Sequence, residues 1–277
     1  MTKRDKLLIG VTLLAVLLAI FLPAMPQPRE YHDFVDKRVA YGIENFFDVV
    51  SNTTFLVAGI AALLLVLRPR TCFANPAERL PYLVFCIGVL MTAAGSCYYH
   101  LQPNNETLFW DRLPMTIAFM SLVSAQIVDR ISVRAGLLAL VPALLVGVGT
   151  VVYWIVTERQ GRGNVMPYVV LQAYAVFVLL QLAALHPSRY THGNAIFVVF
   201  ACYLLAKVLE HYDRQIFELT GMVSGHTLKH VVAGLAGFPV AYLLWHRRLI
   251  TPTQAPVDVS PVQAPEQIAY CSGSVIS

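Results

Sequence analysis

Apolar residues run in long blocks with little alternation, and short polar or Pro/Gly-containing segments separate them. The first block, residues 7–22, follows a basic start of Lys3, Arg4 and Lys6. Seven more lie at about 46–67, 80–100, 107–129, 135–156, 165–185, 194–212 and 226–246. Each is near the ~20 residues that a helix needs to cross the hydrocarbon of a bilayer. The separators hold turn and breaker residues: Arg68-Pro69-Arg70, Pro103-Asn104-Asn105, Gly161-Arg162-Gly163-Asn164 and His186-Pro187-Ser188. The pattern predicts an all-α, polytopic membrane helical bundle of eight spans. Residues 26–45 read as a polar loop with Arg29, Glu30, Asp33, Asp36, Lys37, Arg38 and Glu44. Residues 247–277 read as a disordered tail, Thr/Pro/Gln/Ser-rich from Thr251 and without periodicity. The first block fits a cleaved signal peptide or a retained anchor helix. The segment Leu22-Pro23-Ala24-Met25-Pro26 is a poor small-residue cleavage site, which favours an anchor over 1–25.

Composition sharpens this. The chain is 57% hydrophobic and 13% charged, with a mean hydropathy of +0.62. Soluble domains carry about 25% charged residues. The net charge of +4 is too small and too scattered for nucleic-acid binding, and instead orients loops. With the N-terminus in the cytoplasm, eleven Lys and Arg fall on the inner side and six on the outer. Both termini are therefore expected inside. Cys72, Cys86, Cys97, Cys202 and Cys271 form no CxxC pair and suggest no disulfide framework. Most are expected to be packing residues in helices.

Ionisable residues within apolar blocks are costly, so each is a functional candidate. His226 and His230, in Gly225-His226-Thr227-Leu228-Lys229-His230, are four apart and share a helix face, the spacing at which two imidazoles can hold one metal ion. Ser96 and His100 have the same spacing at the end of another block, and Asp111 opens a third. In the eight-span topology all three places fall at one depth on one side, whichever way the chain is oriented. Three histidines and one open position suit a catalytic zinc site, whose water loses its proton near pH ~7. Asp111 can accept and return that proton, and Ser96 can donate to a developing oxyanion. In an apolar wall these parts suit hydrolysis of a lipid amide or ester.

Bland readings stand beside these. His226 and His230 could be interfacial, Ser96 a helix-packing residue, and Asp111-Arg112 a local charge pair, although adjacent helical positions point about 100° apart. Lys207, Glu210, His211, Asp213 and Arg214 form a second polar set, read first as internal ion pairing and second as support for metal ligands. Lys229 is expected to snorkel to the interface. Tyr98 and Tyr99 fit an aromatic belt or a pocket mouth.

At these residues the chain resembles the alkaline ceramidase family, part of a membrane-hydrolase superfamily that includes the adiponectin-type receptors. The resemblance rests on Ser-Cys-Tyr-Tyr-His (96–100), Trp-Asp-Arg-Leu-Pro-Met-Thr (110–116) and Gly-His-Thr-Leu-Lys-His (225–230). Asn45-Phe46-Phe47-Asp48-Val49-Val50-Ser51-Asn52 resembles the start of the family's first core helix. The resemblance spans about 44–246 and implies a seven-helix core over 46–246, with 7–23 as an added N-terminal helix. It implies His100, His226 and His230 as zinc ligands, Asp111 as acid/base and Ser96 as oxyanion partner. The implied reaction cleaves the N-acyl bond of a ceramide to a sphingoid base and a fatty acid. Animal members carry an acidic calcium-binding stretch with a Trp before the first core helix. Here Tyr41-Gly42-Ile43-Glu44-Asn45 stands there without a Trp, which leaves Ca2+ open at Glu44 and Asn45. The added helix and short loops suggest a bacterial-type member.

A seven-helix, zinc-containing lipid receptor with little turnover is the alternative, and a transporter a third reading. The presence of Ser96 and Asp111 favours the enzyme. The sequence shows no internal repeat of the kind transporters carry. It leaves acyl-chain specificity and oligomeric state open.

Overall fold

A computed structural model describes residues 2–250. It is all-helical: α1 (Lys3–Phe21), α2 (Phe46–Val50), α3 (Thr53–Leu67), α4 (Arg79–Leu101), α5 (Asn105–Arg130), α6 (Val133–Arg159), α7 (Met166–Leu185), α8 (Ala195–His211), α9 (Asp213–Thr220), α10 (Gly225–Leu235) and α11 (Gly237–His246). The described residues contain no strand, only isolated bridges at Ala40–Ile43 and Tyr190–Leu249.

Five stretches are long and apolar enough to cross a membrane: 46–67, 76–101, 133–159, 166–185 and 225–246. Helices α8 and α9 qualify only together, and they bend by 75°. The eight expected spans thus become five or six by this measure. Helix α1 carries Lys3, Arg4, Asp5 and Lys6, and α5 carries Glu106, Asp111, Arg112, Asp129 and Arg130. Elsewhere the helices turn large apolar side chains outward, among them Leu138, Leu145 and Phe177, as a lipid-facing surface requires.

The helix ends follow local chemistry. The Thr2 hydroxyl and the Asp5 carboxylate cap each other's backbone N–H, so α1 begins at Lys3 and not at the first apolar residue. Asn104 and Thr107 make the same reciprocal cap for α5. Helix α1 lies on α7, where Thr12 meets the Tyr174 hydroxyl at 3.1 Å, and Arg4 donates to the Leu185 carbonyl at 2.6 Å.

Close helix contacts rest on glycine. A Cβ on Gly95 would sit 2.0 Å from the Trp110 carbonyl oxygen, and one on Gly88 2.6 Å from the Ala118 nitrogen. Only Gly lets α4 and α5 approach this closely. Likewise a Cβ on Gly225 would lie 2.2 Å from the Leu209 oxygen, which seats α10 in the elbow between α8 and α9.

Two segments depart from the sequence reading. Residues 26–45 are not a simple polar loop, because Gln27, Phe34 and Asp36 are buried. Asp36 accepts from Arg38 Nε at 2.8 Å and Nη2 at 2.6 Å. Burial raises its pKa, but these hydrogen bonds and the Arg38 charge outweigh it and hold the carboxyl below its usual range. Residues 247–250, expected in the tail, pack on the bundle: Arg247 is buried, and the Ile250 N–H donates to the Arg189 carbonyl at 2.8 Å. The rest of that tail, 251–277, lies outside the described residues, as does Cys271.

Candidate metal centre

His226 and His230 stand one turn apart on α10, and His100 comes from the last turn of α4. All three are buried, and one nitrogen from each lies within 4.8 Å of the others. Chain segments more than a hundred residues apart thus meet where the sequence placed them. Ser224 caps α10 by accepting from the Thr227 N–H at 3.0 Å, which fixes the helix start just before His226. Asp213, from α9, accepts from the His226 N–H at 2.7 Å and ties that turn to the elbow.

The donor set fits a metal. His100 Nε2 and His230 Nε2 are 3.2 Å apart. Two nitrogens on one tetrahedral ion at ~2.0–2.1 Å stand about 3.3 Å from each other. His230 Nδ1 lies 3.1 Å from the Asp48 carbonyl and 3.0 Å from the Ser51 hydroxyl. The carbonyl can only accept, so the proton belongs on Nδ1, and the lone pair of Nε2 is left facing His100. His226 Nε2 lies 3.2 Å from Lys229 Nζ, a donor without a lone pair, so this nitrogen accepts and carries no proton. The Phe34 ring centre lies 4.6 Å from the ring centres of both His100 and His226 and packs against them. The Asn45 amide donates to the His100 carbonyl at 2.9 Å.

A cavity of about 560 Å³ opens beside the histidines. His230, Ser96 and Asp111 all border it, and most of the remaining wall is apolar. The Gly95 contact sets Ser96 beside the Asp111 carboxylate. The second polar set divides. Glu210 faces the cavity and pairs with Lys207 at 2.8 Å and with Lys229 at 3.0 Å. Asp213 supports α10, whereas His211 and Arg214 are exposed. Lys229 does not snorkel outward: Glu210 holds it in the cavity wall. Tyr99 is buried with its hydroxyl 2.9 Å from His32 Nδ1, and Tyr98 is about half exposed.

The sequence reading missed Phe34, and gave no role to Asp48, Ser51 and Thr227. The Thr227 hydroxyl donates to Asp48 Oδ1 at 2.6 Å, and Asp48 Oδ2 is buried without a hydrogen-bond partner. A signal existed, because Asp48, Ser51 and Asn52 lie three and four apart within an apolar block. Of the calcium candidates, Glu44 is exposed and Asn45 is engaged with His100. Among the described residues the three histidines are the one group of His, Cys, Asp and Glu side chains close enough to share an ion. No known protein-family model matches the chain and no curated protein matches it significantly, so the functional reading rests on this geometry and on the motifs that compose it.

Proposed function

We propose that the chain is a zinc-dependent membrane lipid amidase of the alkaline ceramidase type, hydrolysing the N-acyl bond of ceramide-like lipids. The observation that carries the reading is a shared cavity: His230, one member of a buried three-histidine cluster, borders the same largely apolar chamber as Ser96 and Asp111. A receptor needs the chamber but has no use for a proton-transfer carboxylate beside it.

His100, His226 and His230 would hold the ion, and zinc there supplies Lewis acidity that activates water at neutral pH. The apolar wall takes the acyl chain and keeps bulk water from the amide. Asp111 takes the proton released as water attacks the acyl carbon, and returns it to the nitrogen as the C–N bond breaks. Ser96 donates to the carbonyl oxygen as it gains charge. The products are a fatty-acid carboxylate and the free amine of the sphingoid base. Hydrogen bonds from His230 to Asp48 and Ser51 hold one imidazole in its ligating tautomer throughout.

The test is fatty-acid release in detergent from a panel of ceramides and other N-acyl lipids, with His230→Ala alongside. Release by the parent alone supports the reading and ranks substrates. Zinc-loaded parent that binds lipid but releases nothing would leave a receptor-like role. Equal release by both proteins would remove the histidines from the chemistry.

A further inference from the structure

Arg112 follows Asp111 on α5 and borders the same cavity. It is only 6% exposed. Its guanidinium carbon lies 4.5 Å from the ring centre of Trp154, 4.9 Å from that of Tyr168 and 5.4 Å from that of Tyr31. Nη2 donates to Gln27 Oε1 at 2.7 Å, and Nη1 is buried with no acceptor. Among the described residues Arg112 makes no ion pair. A buried guanidinium without a counter-charge is expensive, and three aromatic faces offset only part of that cost.

The rest of the cavity does not supply the missing charge. Besides Arg112 and His230 its acidic and basic side chains are Asp111, Lys207, Glu210 and Lys229, with the tyrosines Tyr31, Tyr168 and Tyr203. Glu210 is already shared by both lysines. Asp111 is the immediate neighbour of Arg112, and neighbouring helical positions diverge by about 100°. Three cations therefore face two carboxylates around a chamber walled mostly by apolar side chains.

We propose that Arg112 binds the carboxylate of an acyl-amide substrate, so that the lipids processed include N-acylated amino acids. This rests on the amidase reading and narrows its substrate class. Because Arg112 and Asp111 border the same cavity, the anion it holds belongs to the same lipid headgroup as the scissile amide, as in an N-acyl α-amino acid. Arginine donates to a carboxylate through charge-assisted hydrogen bonds, for which Nη1 is free and Nη2 is already polarised by Gln27. The Trp154, Tyr168 and Tyr31 rings hold the guanidinium in place beforehand, so little freedom is lost on binding. Hydrolysis then gives a fatty-acid carboxylate and a free amino acid, with water supplying the oxygen to the acyl carbon and protons to the nitrogen.

The experiment measures binding and release separately on the purified full chain in detergent, with N-oleoylglycine, its neutral counterpart N-oleoylethanolamine, and oleate. N-oleoylglycine is expected to bind about tenfold or more tightly than N-oleoylethanolamine, as a hydrogen-bonded charge predicts. Arg112→Gln should abolish that preference while leaving the affinity for N-oleoylethanolamine within about threefold. Arg112→Lys keeps a charge and should keep part of the preference, which covers the case in which the glutamine variant does not fold. Equal binding of the two amides by the parent overturns the proposal, as does a preference that survives in Arg112→Gln. Oleate binding as tightly as N-oleoylglycine, with the same dependence on Arg112, would assign the site to the fatty-acid product and overturn the headgroup assignment. Oleate release tests the underlying reading independently: a binding preference without release from either amide keeps the anion site and removes the amidase.

Discussion

Where α5 ends, Asp129 accepts from the Tyr82 hydroxyl at 2.6 Å and pairs with Arg247 at 3.0 Å. Nearby, Glu78 accepts from Arg189 and from the Tyr190 hydroxyl, and Arg130 donates to the carbonyls of His186 and Gly193 at 2.7 Å each. Where α5 begins, Arg112 has no carboxylate, Asp48 Oδ2 has no donor and His100 Nδ1 has no partner. Both ends bury an arginine on aromatic rings, for Arg247 lies 3.7 Å over Tyr190 as Arg112 lies over Trp154. The first half of α5 also borders the cavity of about 560 Å³. At one end each carboxylate is paired with an arginine and fastens helix termini together, although Arg247 Nε and Nη1 and Arg189 Nε have no acceptor there either. At the other end Arg112 has no ion pair and borders the cavity, which is the arrangement of a binding site.

The contrast can be broken most severely at the histidines. His226→Ala or His230→Ala should take metal content, read by elemental analysis, from near one equivalent to near none, and lipid-amide cleavage to background, while the ion-paired end stays folded. Arg247→Ala should do the reverse. Removing one partner of a fully buried pair costs about 3–5 kcal/mol, so thermal stability should fall sharply while the metal content of the folded fraction is unchanged. Loss of metal in that variant at temperatures below unfolding would show that the two ends are coupled.

Gly95→Ala comes next. Its Cβ would overlap the Trp110 carbonyl, and forced overpacking costs about 1–3 kcal/mol. It should also move Ser96 away from Asp111, and so lower turnover more than stability alone explains. Gly149→Ala, where nothing lies within 4 Å of the new Cβ, is the matched control and should leave turnover unaltered. Ser51→Ala removes one of two partners of His230 Nδ1. Losing such a partner weakens metal binding about 10–100-fold, and the remaining Asp48 carbonyl argues for the lower figure, measurable by chelator competition.

The smallest effect is at Asp36. Its folded pKa lies below the ordinary carboxylate value, so its contribution is present above about pH 4 and is lost as pH falls through the folded value. The melting-temperature difference between parent and Asp36→Asn should therefore shrink from pH 6 to pH 3. A difference that grows on acidification would mean that Asp36 is not held by Arg38.

Much was written in the one-dimensional pattern. Block lengths and breakers gave the ends of eight helical stretches within a few residues, because hydrophobicity and capping act locally, but not the breaks inside 46–67 and 226–246 or the short α9. The i, i+4 spacing of His226 and His230 put both on one face whatever else the chain did. Chain parity brought His100 and Asp111 to the same end, since each crossing reverses direction. Tertiary structure alone decided what lay over and beside them. Phe34 packs against two histidines from a segment whose charged residues made it read as solvent-exposed. Lys229 turns inward because the chain after the bend brings α10 back against α8, where Glu210 lies nineteen residues earlier. Arg112 has aromatic faces but no carboxylate because of what α6, α7 and the segment before α2 happen to place around it. Local pattern sets which residues share a helix face. Which charges find partners, and which are left facing a cavity, depends on contacts between segments far apart in sequence, and no local pattern encodes those.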